Sequence, residues 1–519
     1  MSRYVARLPV SSLLSILSLI RFAAPAEGQL IPVKTVRLAQ GDQFAIFPSV
    51  NLAKGGVSIA VADSLLDPFI NPAKGARVGA SRFFGTPALY SVSSHAGGGR
   101  TLPVGTLMRA GPWFGGAALA VQQVDASRTP VNDVVFVAEP GPCPLQPGVA
   151  CATASQTVLP AAEQTHGNEL AFASLGRTVT GTGLSVGGSV LWARLTGVDG
   201  VDVLYARSVR VKQFGHTVDF RLGALQEWRG DRSLEALLLY DRFGMTHDVT
   251  YLDAFWDPGT QRVLQRTRIE ENFDQTNTWG LHLTYQQPLG AHGWRIGWLA
   301  TANSMAHPKI PNYEMVNAVP VPWDPGHTWA YNLGVGVSRR EGSATFGLDA
   351  IYEPIRSTTW GEAAIPTETR LGDTIAVGGR TIENRFRFSN ALVRLGIGDE
   401  TDLDHSGTAA GLQLGLAVRS IGYHVEQQDN VQVSSRRDTE HWIEWTPTWG
   451  VSLRFPKLEV RYRGEVINGT GRPGVSGSCS FCDRPTASSG GILVAPSGPI
   501  TLTPVRVFTH QVSVTLPLR

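Results

Sequence analysis

The chain of 519 residues is rich in glycine and nearly neutral: it has 57 glycines, 42% hydrophobic and 17% charged residues, and 45 basic against 43 acidic side chains give a net charge of +2. This balance excludes the basic footprint of a nucleic-acid-binding protein and the charge-rich, apolar-poor composition of a disordered chain. The glycines have no three-residue period, which excludes collagen, and four cysteines are too few for a disulfide-stapled miniprotein.

Residues 1–26 predict a secretory signal peptide. Arg3 and Arg7 precede a mostly apolar run over residues 8–20, and Ala24-Pro25-Ala26 offers small residues for cleavage. The run is shorter than the about 20 residues that a membrane-spanning helix needs, and no later apolar stretch is long enough. We therefore expect an exported protein that enters a membrane through strands, if it enters one.

Residues 27–75 alternate poorly and predict a segment distinct from the strands that follow. The segment contains the pair Gly55-Gly56, the step Ala62-Asp63 and the tripeptide Asn71-Pro72-Ala73. The two glycines permit close backbone approach, and Pro72 restricts Asn71 to an extended conformation. Such a segment either folds compactly as a plug inside a barrel or is an ordinary lead-in, and we expect a structural role for the Asn71 amide.

These motifs resemble those of the FadL-like family of outer-membrane long-chain fatty-acid transporters, over about residues 50–73. Members of that family carry a small-residue Gly/Ala segment, an Ala-Asp step and an Asn-Pro-Ala motif just before the barrel. The resemblance implies a hatch that plugs a 14-stranded barrel. It also implies that hydrophobic molecules pass from an outer-loop site through the lumen to a lateral opening. The hatch motif would comprise Gly55, Gly56, Ala62, Asp63, Asn71, Pro72 and Ala73.

The rest of the chain shows long segments in which apolar and polar side chains alternate. The clearest pair is 441–455 with 458–466, and similar pairs are 201–212 with 217–225, 279–285 with 294–300, and 329–337 with 344–352. Strands of ten or more residues exceed those of soluble sheets and match what a tilted strand needs to cross a bilayer. We therefore predict an all-β, closed antiparallel transmembrane barrel of about 14 strands, with limits of 12 and 16, over residues 76–519. It would lie in the bacterial outer membrane, in contact with its lipids.

Connections, aromatic residues and the last segment support this interpretation. Short links are expected at 213–216, 340–342 and 456–457, and long polar loops near 303–326, 355–380 and 468–500. Thirteen Trp residues, many near segment ends, are typical of an aromatic girdle.

Two segments need separate expectations. In 382–397 the apolar phase switches near Asn390, which indicates a bulge or a misplaced strand. Residues 501–518 should pair with the first strand, because an open sheet edge in hydrocarbon leaves backbone groups unpaired. The chain ends in Leu518-Arg519 rather than in the terminal aromatic that is usual for proteins handled by the outer-membrane assembly machinery, which we nevertheless expect as a partner during biogenesis.

Charged residues and cysteines give further candidates. The charged residues expected to face the lumen are Asp219, Arg221, Glu459, Arg461, Arg463 and Glu465; they either line a wet pore or pair along the wall. Cys143 with Cys151, and Cys479 with Cys482, lie in Pro/Gly/Ser-rich stretches and are candidates for local disulfides in an oxidising compartment.

The function favoured by these patterns is uptake of fatty acids or similar hydrophobic small molecules, with no cofactor, no metal and no nucleic-acid partner. Apolar solutes cross the polar outer leaflet poorly, and an interior pocket can bury them. The alternatives are a diffusion porin for polar solutes and a secretion-associated scaffold barrel.

An outer-membrane hydrolase is a third alternative. Its candidates would be Ser93, Ser94 and His95, with Thr246-His247-Asp248 and Asp404-His405 as acid/base pairs. Neighbouring residues on a strand point to opposite faces, and no EF-hand, zincin, P-loop or dinucleotide motif is present, so no enzyme activity is expected.

Overall fold

The computed structural model describes residues 35, 37–39, 41, 43–94, 96–125, 135–136, 165–199, 210–257, 259–260, 262–290, 292–307, 326–363, 365–403, 407–473 and 502–518. Most of them form long strands. In chain order the strands are β1 Arg82–Gly85, β2 Ala88–Val92, β3 Gly98–Ala110, β4 Trp113–Asp125, β5 Val135–Phe136, β6 Thr165–Val179, β7 Leu184–Leu195, β8 Arg210–Trp228, β9 Arg232–Asp257, β10 Arg262–Pro288, β11 Trp294–His307, β12 Gly326–Glu341, β13 Ala344–Glu362, β14 Thr367–Glu368, β15 Thr374–Ile375, β16 Arg380–Asp402, β17 Ala409–Asp429, β18 Ser434–Phe455, β19 Leu458–Pro473 and β20 Leu502–Pro517.

The sheet closes on itself. β1 and β2 keep one register against both β3 and β20, so they are two halves of one strand that Pro87, which has no N–H to donate, helps to interrupt. Arg82 pairs with Pro517, which joins the first strand to the last as predicted. With β1 and β2 counted once, the described residues form a closed ring of sixteen antiparallel strands. This number lies at the upper limit of the predicted range and exceeds the central expectation of 14.

The outer face of the ring is apolar and the inner face is polar. Leu119, Leu175 and Leu222 point outward and are 63%, 63% and 65% exposed. On two of the same strands, Gln122 and Asp219 point inward and are buried. A soluble protein would place these residues the other way round, whereas a barrel in the bacterial outer membrane contacts lipid with its outer face. The predicted closed transmembrane barrel is therefore confirmed.

Aromatic side chains form bands on this outer face. Tyr285 lies between Trp228 and Trp298, with ring centroids 6.5 and 5.8 Å apart. These residues lie towards the end of the barrel where the connections are short. Trp442, in contrast, is buried inside the barrel, so the girdle does not use every Trp.

The two ends of the barrel differ in their connections. At the turn end, β3–β4, β6–β7, β8–β9, β10–β11, β12–β13, β16–β17 and β18–β19 are joined; the opposite end is called the loop end below. The predicted short link at 213–216 is wrong, because these residues lie inside β8, where the Gln213 side chain is buried and accepts a 3.0 Å hydrogen bond from the Val198 backbone N–H. The predicted link at 340–342 is shifted, since the turn is Gly342-Ser343, with Gly342 at φ 59°.

Three predicted loops are shorter than expected, because their first residues continue the strands beyond the apolar belt. Residues 355–362 belong to β13, 303–307 to β11, and 468–473 to β19. The bulge expected near Asn390 is also wrong. β16 keeps one register with β17 on both sides of this residue, and its irregularity lies at Gly361/Glu362, on the side of β13.

The described residues before β1 form short helices: a 3-10 turn at Leu52–Lys54, the α-helix α1 at Asp67–Ile70, and a 3-10 helix at Pro72–Arg77. The first strand begins at Arg82, later than the boundary expected at residue 76. Among the described residues, none of the helices has the length and apolar character to cross a membrane.

Candidate functional site

Residues 43–81, called the inner segment below, lie inside the barrel against inward-facing glycines of the wall. A Cβ atom added at Gly223 would overlap Oδ1 of Asn71, and one added at Gly415 would overlap the backbone N of Gly55. Larger residues would therefore push the segment away from the wall. Further wall glycines that contact the segment in the same way are Gly187, Gly297, Gly336, Gly347, Gly396 and Gly450. The high glycine content is thus partly explained by the packing of the lumen.

Polar wall side chains also bind the backbone of the inner segment. Thr448 donates to the carbonyl of Ala53 and accepts from the N–H of Gly55, both at 2.9 Å. Arg394 donates to the carbonyl of Gly56 at 3.0 Å. Similar bonds run from Gln286 to Ile59, from Ser338 to Ala60, from Thr86 to Ile46, from Arg221 to Ile70, and from the Ser58 N–H to Asp349. Each contributes about 1 kcal/mol, so together they hold the segment in one position.

Asp63 ties two parts of the inner segment together. One carboxylate oxygen accepts from Ser49 Oγ at 2.5 Å and from the N–H groups of Val50 and Asn51 at 2.8 and 2.9 Å. The other accepts from the N–H groups of two residues that follow in the chain, Leu65 and Leu66, at 3.0 Å each. This buried carboxylate therefore connects residues 49–51 to residues 65–66.

The other residues of the sequence motif lie in the same segment. Asn71 Oδ1 accepts from the Ala73 N–H at 3.1 Å and so caps the 3-10 helix that Pro72 begins. The backbone around Pro72 and Ala73 contacts the wall at Gly187. Gly56 lies beside Arg394, whereas Ala62 lines a cavity described below.

An ion cluster that the sequence did not reveal fixes the end of the segment. The Lys74 ammonium lies 3.1 Å from Asp67 and 3.0 Å from Glu235 of β9, and Arg77 lies 3.0 Å from Glu227. Burial raises the pKa of Asp67 to about 6, against the opposing effect of Lys74. Burial lowers the pKa of Lys74, but the two carboxylates outweigh it and raise that pKa overall. The sequence signal that could have indicated this cluster is the presence of charged residues, Asp67, Lys74 and Arg77, in an otherwise small and apolar stretch.

The charged residues expected in the lumen pair with one another along single strands. Arg221 lies 2.6 Å from Asp219, and Arg461 and Arg463 contact Glu459 and Glu465. Asp219, Arg463 and Glu465 are buried. Phe220, which lies between Asp219 and Arg221 in the chain, is exposed on the outer face. The charges of each pair therefore largely neutralise each other.

The hydrolase candidates are not assembled by the described residues. Ser93 and Ser94 follow β2, while His247 is buried in β9 and the adjacent Asp248 pairs with Lys212 at 4.0 Å. Outside the described residues lie His95, Asp404, His405, Cys143, Cys151, Cys479 and Cys482.

A cluster of buried apolar side chains lies on the inward-facing side of the wall towards the loop end. This upper lumen patch consists of Met305, Ala330, Ile355, Phe386, Phe388, Ile421, Tyr423, Val425 and Trp442. Tyr423 is at its centre, with ring centroids 5.5 Å from Phe388 and 6.1 Å from Trp442. On the outer face at the same level, Arg385 and Arg387 are exposed. The wall is therefore apolar inside and polar outside here, the reverse of the membrane belt.

This reversal explains the change of phase near Asn390. On the turn-end side of Asn390, Val393 and Leu395 point outward and are exposed. On its loop-end side, Phe386 and Phe388 point inward and are buried. β17 shows the same change between its exposed leucines and the buried Ile421. A switch of apolar phase within an unbroken strand was thus the sequence signal for the patch.

A cavity, called the lower cavity below, lies between the inner segment and the turn end and has a volume of about 1010 Å³. Its lining is mostly polar. From the segment it includes Lys54 and Ala62, and from the wall it includes Arg340, Arg454 and Glu400.

No family model matches the chain, and no curated protein matches it. Among solved structures it is similar to a FadL homologue of Pseudomonas aeruginosa, with 10% identity, coverage of 91% of this chain and 99% of that one, and a TM-score of 0.43. It is also similar to the toluene transporter TodX of Pseudomonas putida, with 12% identity, 93% and 98% coverage and a TM-score of 0.36. A third is the ferric-catecholate import receptor Fiu of E. coli, with 8% identity, 84% and 82% coverage and a TM-score of 0.33. The likeness is one of overall fold.

Proposed function

We propose that the chain is an outer-membrane conduit that takes up fatty acids or similar hydrophobic small molecules, and that the inner segment acts as its hatch. The upper lumen patch carries this proposal. A barrel needs apolar residues on its outer face to contact lipid, but it needs none in a lumen filled with water. An apolar lumen wall at the level where the outer face becomes polar suits a solute that leaves water for the interior.

The size of the effect is sufficient for useful affinity. An alkyl chain gains about 0.8 kcal/mol for each methylene that it buries. About six methylenes in contact with the patch would contribute about 5 kcal/mol before the costs of association. The aromatic rings of Phe386, Phe388 and Trp442 are buried, so they would offer such contacts once a ligand displaces what covers them.

The inner segment favours a conduit over an open porin. Its backbone is bound to the wall on several sides, by Thr448 of β18, Arg394 of β16 and Arg221 of β8. The charged residues that a porin would use for selectivity are paired with each other instead. We therefore expect small ion conductance from the purified protein in planar bilayers, and a large, steady conductance would favour a diffusion porin.

Binding of radiolabelled dodecanoate to the protein in non-ionic detergent tests the role of the patch. Phe388→Asn places an amide in the patch, and Arg387→Asn places the same side chain on the outer face one residue away. We expect the first variant to lose at least about tenfold in affinity, because an unpaired amide in an apolar site costs more than 1.4 kcal/mol. The second variant should bind like the unmodified protein. Equal affinities for all three proteins, or no binding by any, would refute the proposal.

A further inference from the structure

The lower cavity contains a buried cation without a partner. Lys54, in the 3-10 turn of the inner segment, is 5% exposed and lines this cavity. Within the part of the chain that the structure describes, its ammonium group makes no hydrogen bond and no ion pair. Burial lowers the pKa of Lys54; Asp63 acts to raise it, and Arg461 and Arg340 act to lower it further. The Nζ atom is not fully buried, so water in the cavity reaches it, but an ammonium that is largely removed from water and has no counter-charge favours an anion as its ligand.

The carboxylate that acts on Lys54, Asp63, and two others nearby, Glu459 and Glu400, are already engaged. Both oxygens of Asp63 accept hydrogen bonds from the inner segment itself. Glu459 contacts Arg461, and at the edge of the cavity Glu400 lies 2.6 Å from Arg454. Arg340 reaches the same cavity and forms no ion pair among the described residues. Lys54, which is buried, and Arg340, which is exposed, are therefore two cations at one space, and a negative ligand would reduce their mutual repulsion.

We infer that Lys54 and Arg340 form an anion-binding site in the lower cavity that takes a carboxylate or phosphate group. The volume of about 1010 Å³ accommodates such a group together with water. This site is separate from the upper lumen patch, which lies on the other side of the inner segment. The choice of a fatty acid as the ligand rests on the proposed function, but the site for an anion does not.

A groove on the outer face favours the headgroup of an amphiphile over a free anion. The groove has a volume of about 370 Å³ and apolar walls formed by Phe346, Ile397 and Leu412. It shares Arg339, Thr345, Gly398 and Asp399 with the lower cavity. Thr345 and Gly398 are the last pair between β13 and β16 at the turn end, because β16 continues to Asp402 beside β17 alone. A charged space and a lipid-facing apolar space therefore meet at these four residues, which suits a molecule with an anionic head and one alkyl tail.

The test compares three probes on four proteins. Dodecanoate, its uncharged analogue dodecanol and inorganic phosphate are measured by equilibrium binding to the full chain in non-ionic detergent. The variants are Lys54→Met, Arg340→Gln and the control Arg232→Gln, an arginine that lines the same cavity but is not among the charges acting on Lys54. Far-UV circular dichroism checks that each barrel is folded, and Arg340→Gln keeps the test valid if Lys54→Met does not fold.

We expect Lys54→Met and Arg340→Gln to weaken dodecanoate binding about tenfold at the lower site while dodecanol binding and the control stay unchanged. If phosphate alone shows this dependence, the anion site stands and its ligand is a free anion. If neither anion responds to either substitution, the inference is wrong. In that case the proposed function would still stand if dodecanol binding is lost in Phe388→Asn and in no other variant. The proposed function itself would be overturned if the unmodified protein binds neither dodecanoate nor dodecanol.

Discussion

Substitution of Asp63 by Asn should release the inner segment without changing the shape of the side chain. The carboxylate accepts five hydrogen bonds, three on one oxygen and two on the other. An amide has one oxygen and one NH₂ group, so at least two donors would face another donor. Hydrogen bonds to charged groups contribute about 1.5–3 kcal/mol each, and the loss of two lowers the free energy of local opening by about 3–6 kcal/mol.

Hydrogen exchange of the backbone amides in residues 49–66 measures this opening. A loss of about 3 kcal/mol corresponds to exchange that is at least about 100-fold faster, since each 1.4 kcal/mol is a factor of ten. Asp373→Asn, in the loop that carries β14 and β15, is the control and should change nothing in this region. Planar-bilayer conductance should rise in the same variant if the segment closes the lumen. Unchanged protection of residues 49–66 would show that Asp63 does not hold the segment together.

Three further changes probe the inner segment. The pKa of Asp67 is raised from 3.8 to about 6 in the folded protein, so its contribution to stability is complete below about pH 4 and is lost as the pH rises through about 6. Segment opening, corrected for intrinsic exchange, should therefore increase up to about 100-fold between about pH 4 and 7, and Asp67→Asn should abolish this dependence; a flat profile in the unmodified protein contradicts it. Gly415→Ala should displace the segment and raise conductance, whereas Gly244→Ala, where a Cβ meets nothing within 4 Å, should not; equal behaviour of the two would refute the packing argument. Ala60→Cys with Ser338→Cys, which are joined by a 2.8 Å hydrogen bond in the unmodified chain, should form a disulfide in a background without native cysteines. Fatty-acid uptake into reconstituted vesicles should then stop and return on reduction, and uptake through the oxidised form would show that the segment does not need to move.

The barrel could be predicted from the sequence because strand alternation is a local property. In β18 and β19 the apolar residues repeat every second position, and the bilayer selects the face on which they lie. The same reasoning failed at 213–216, where the two alternating segments 201–212 and 217–225 indicated a turn between them. In the structure the Gln213 side chain is bonded inside the lumen, a contact that the local sequence does not encode.

The interior was harder to predict than the wall because its contacts join residues far apart in the chain. Asp63 was included in the motif, but its partners across the segment depend on the fold. The sequence gives no reason to predict a buried role for Lys54, since a lone lysine is usually exposed to solvent. The phase switch near Asn390 is equally compatible with a bulge, a misplaced strand and a change of environment, because alternation alone does not say where the membrane ends.

The seam between the first and last strands limits the order in which the molecule can be built. Arg82 and Pro517 become neighbours only after β20 has been made, and the residues just before Arg82 are enclosed in the final structure. A barrel that closes between its first and last strands must either surround the inner segment while these strands are still unpaired or admit it afterwards through one end. Enclosure before joining spares the inner segment, with its own ion pairs, a later passage into the closed barrel, so the segment would be in place while the strands assemble around it.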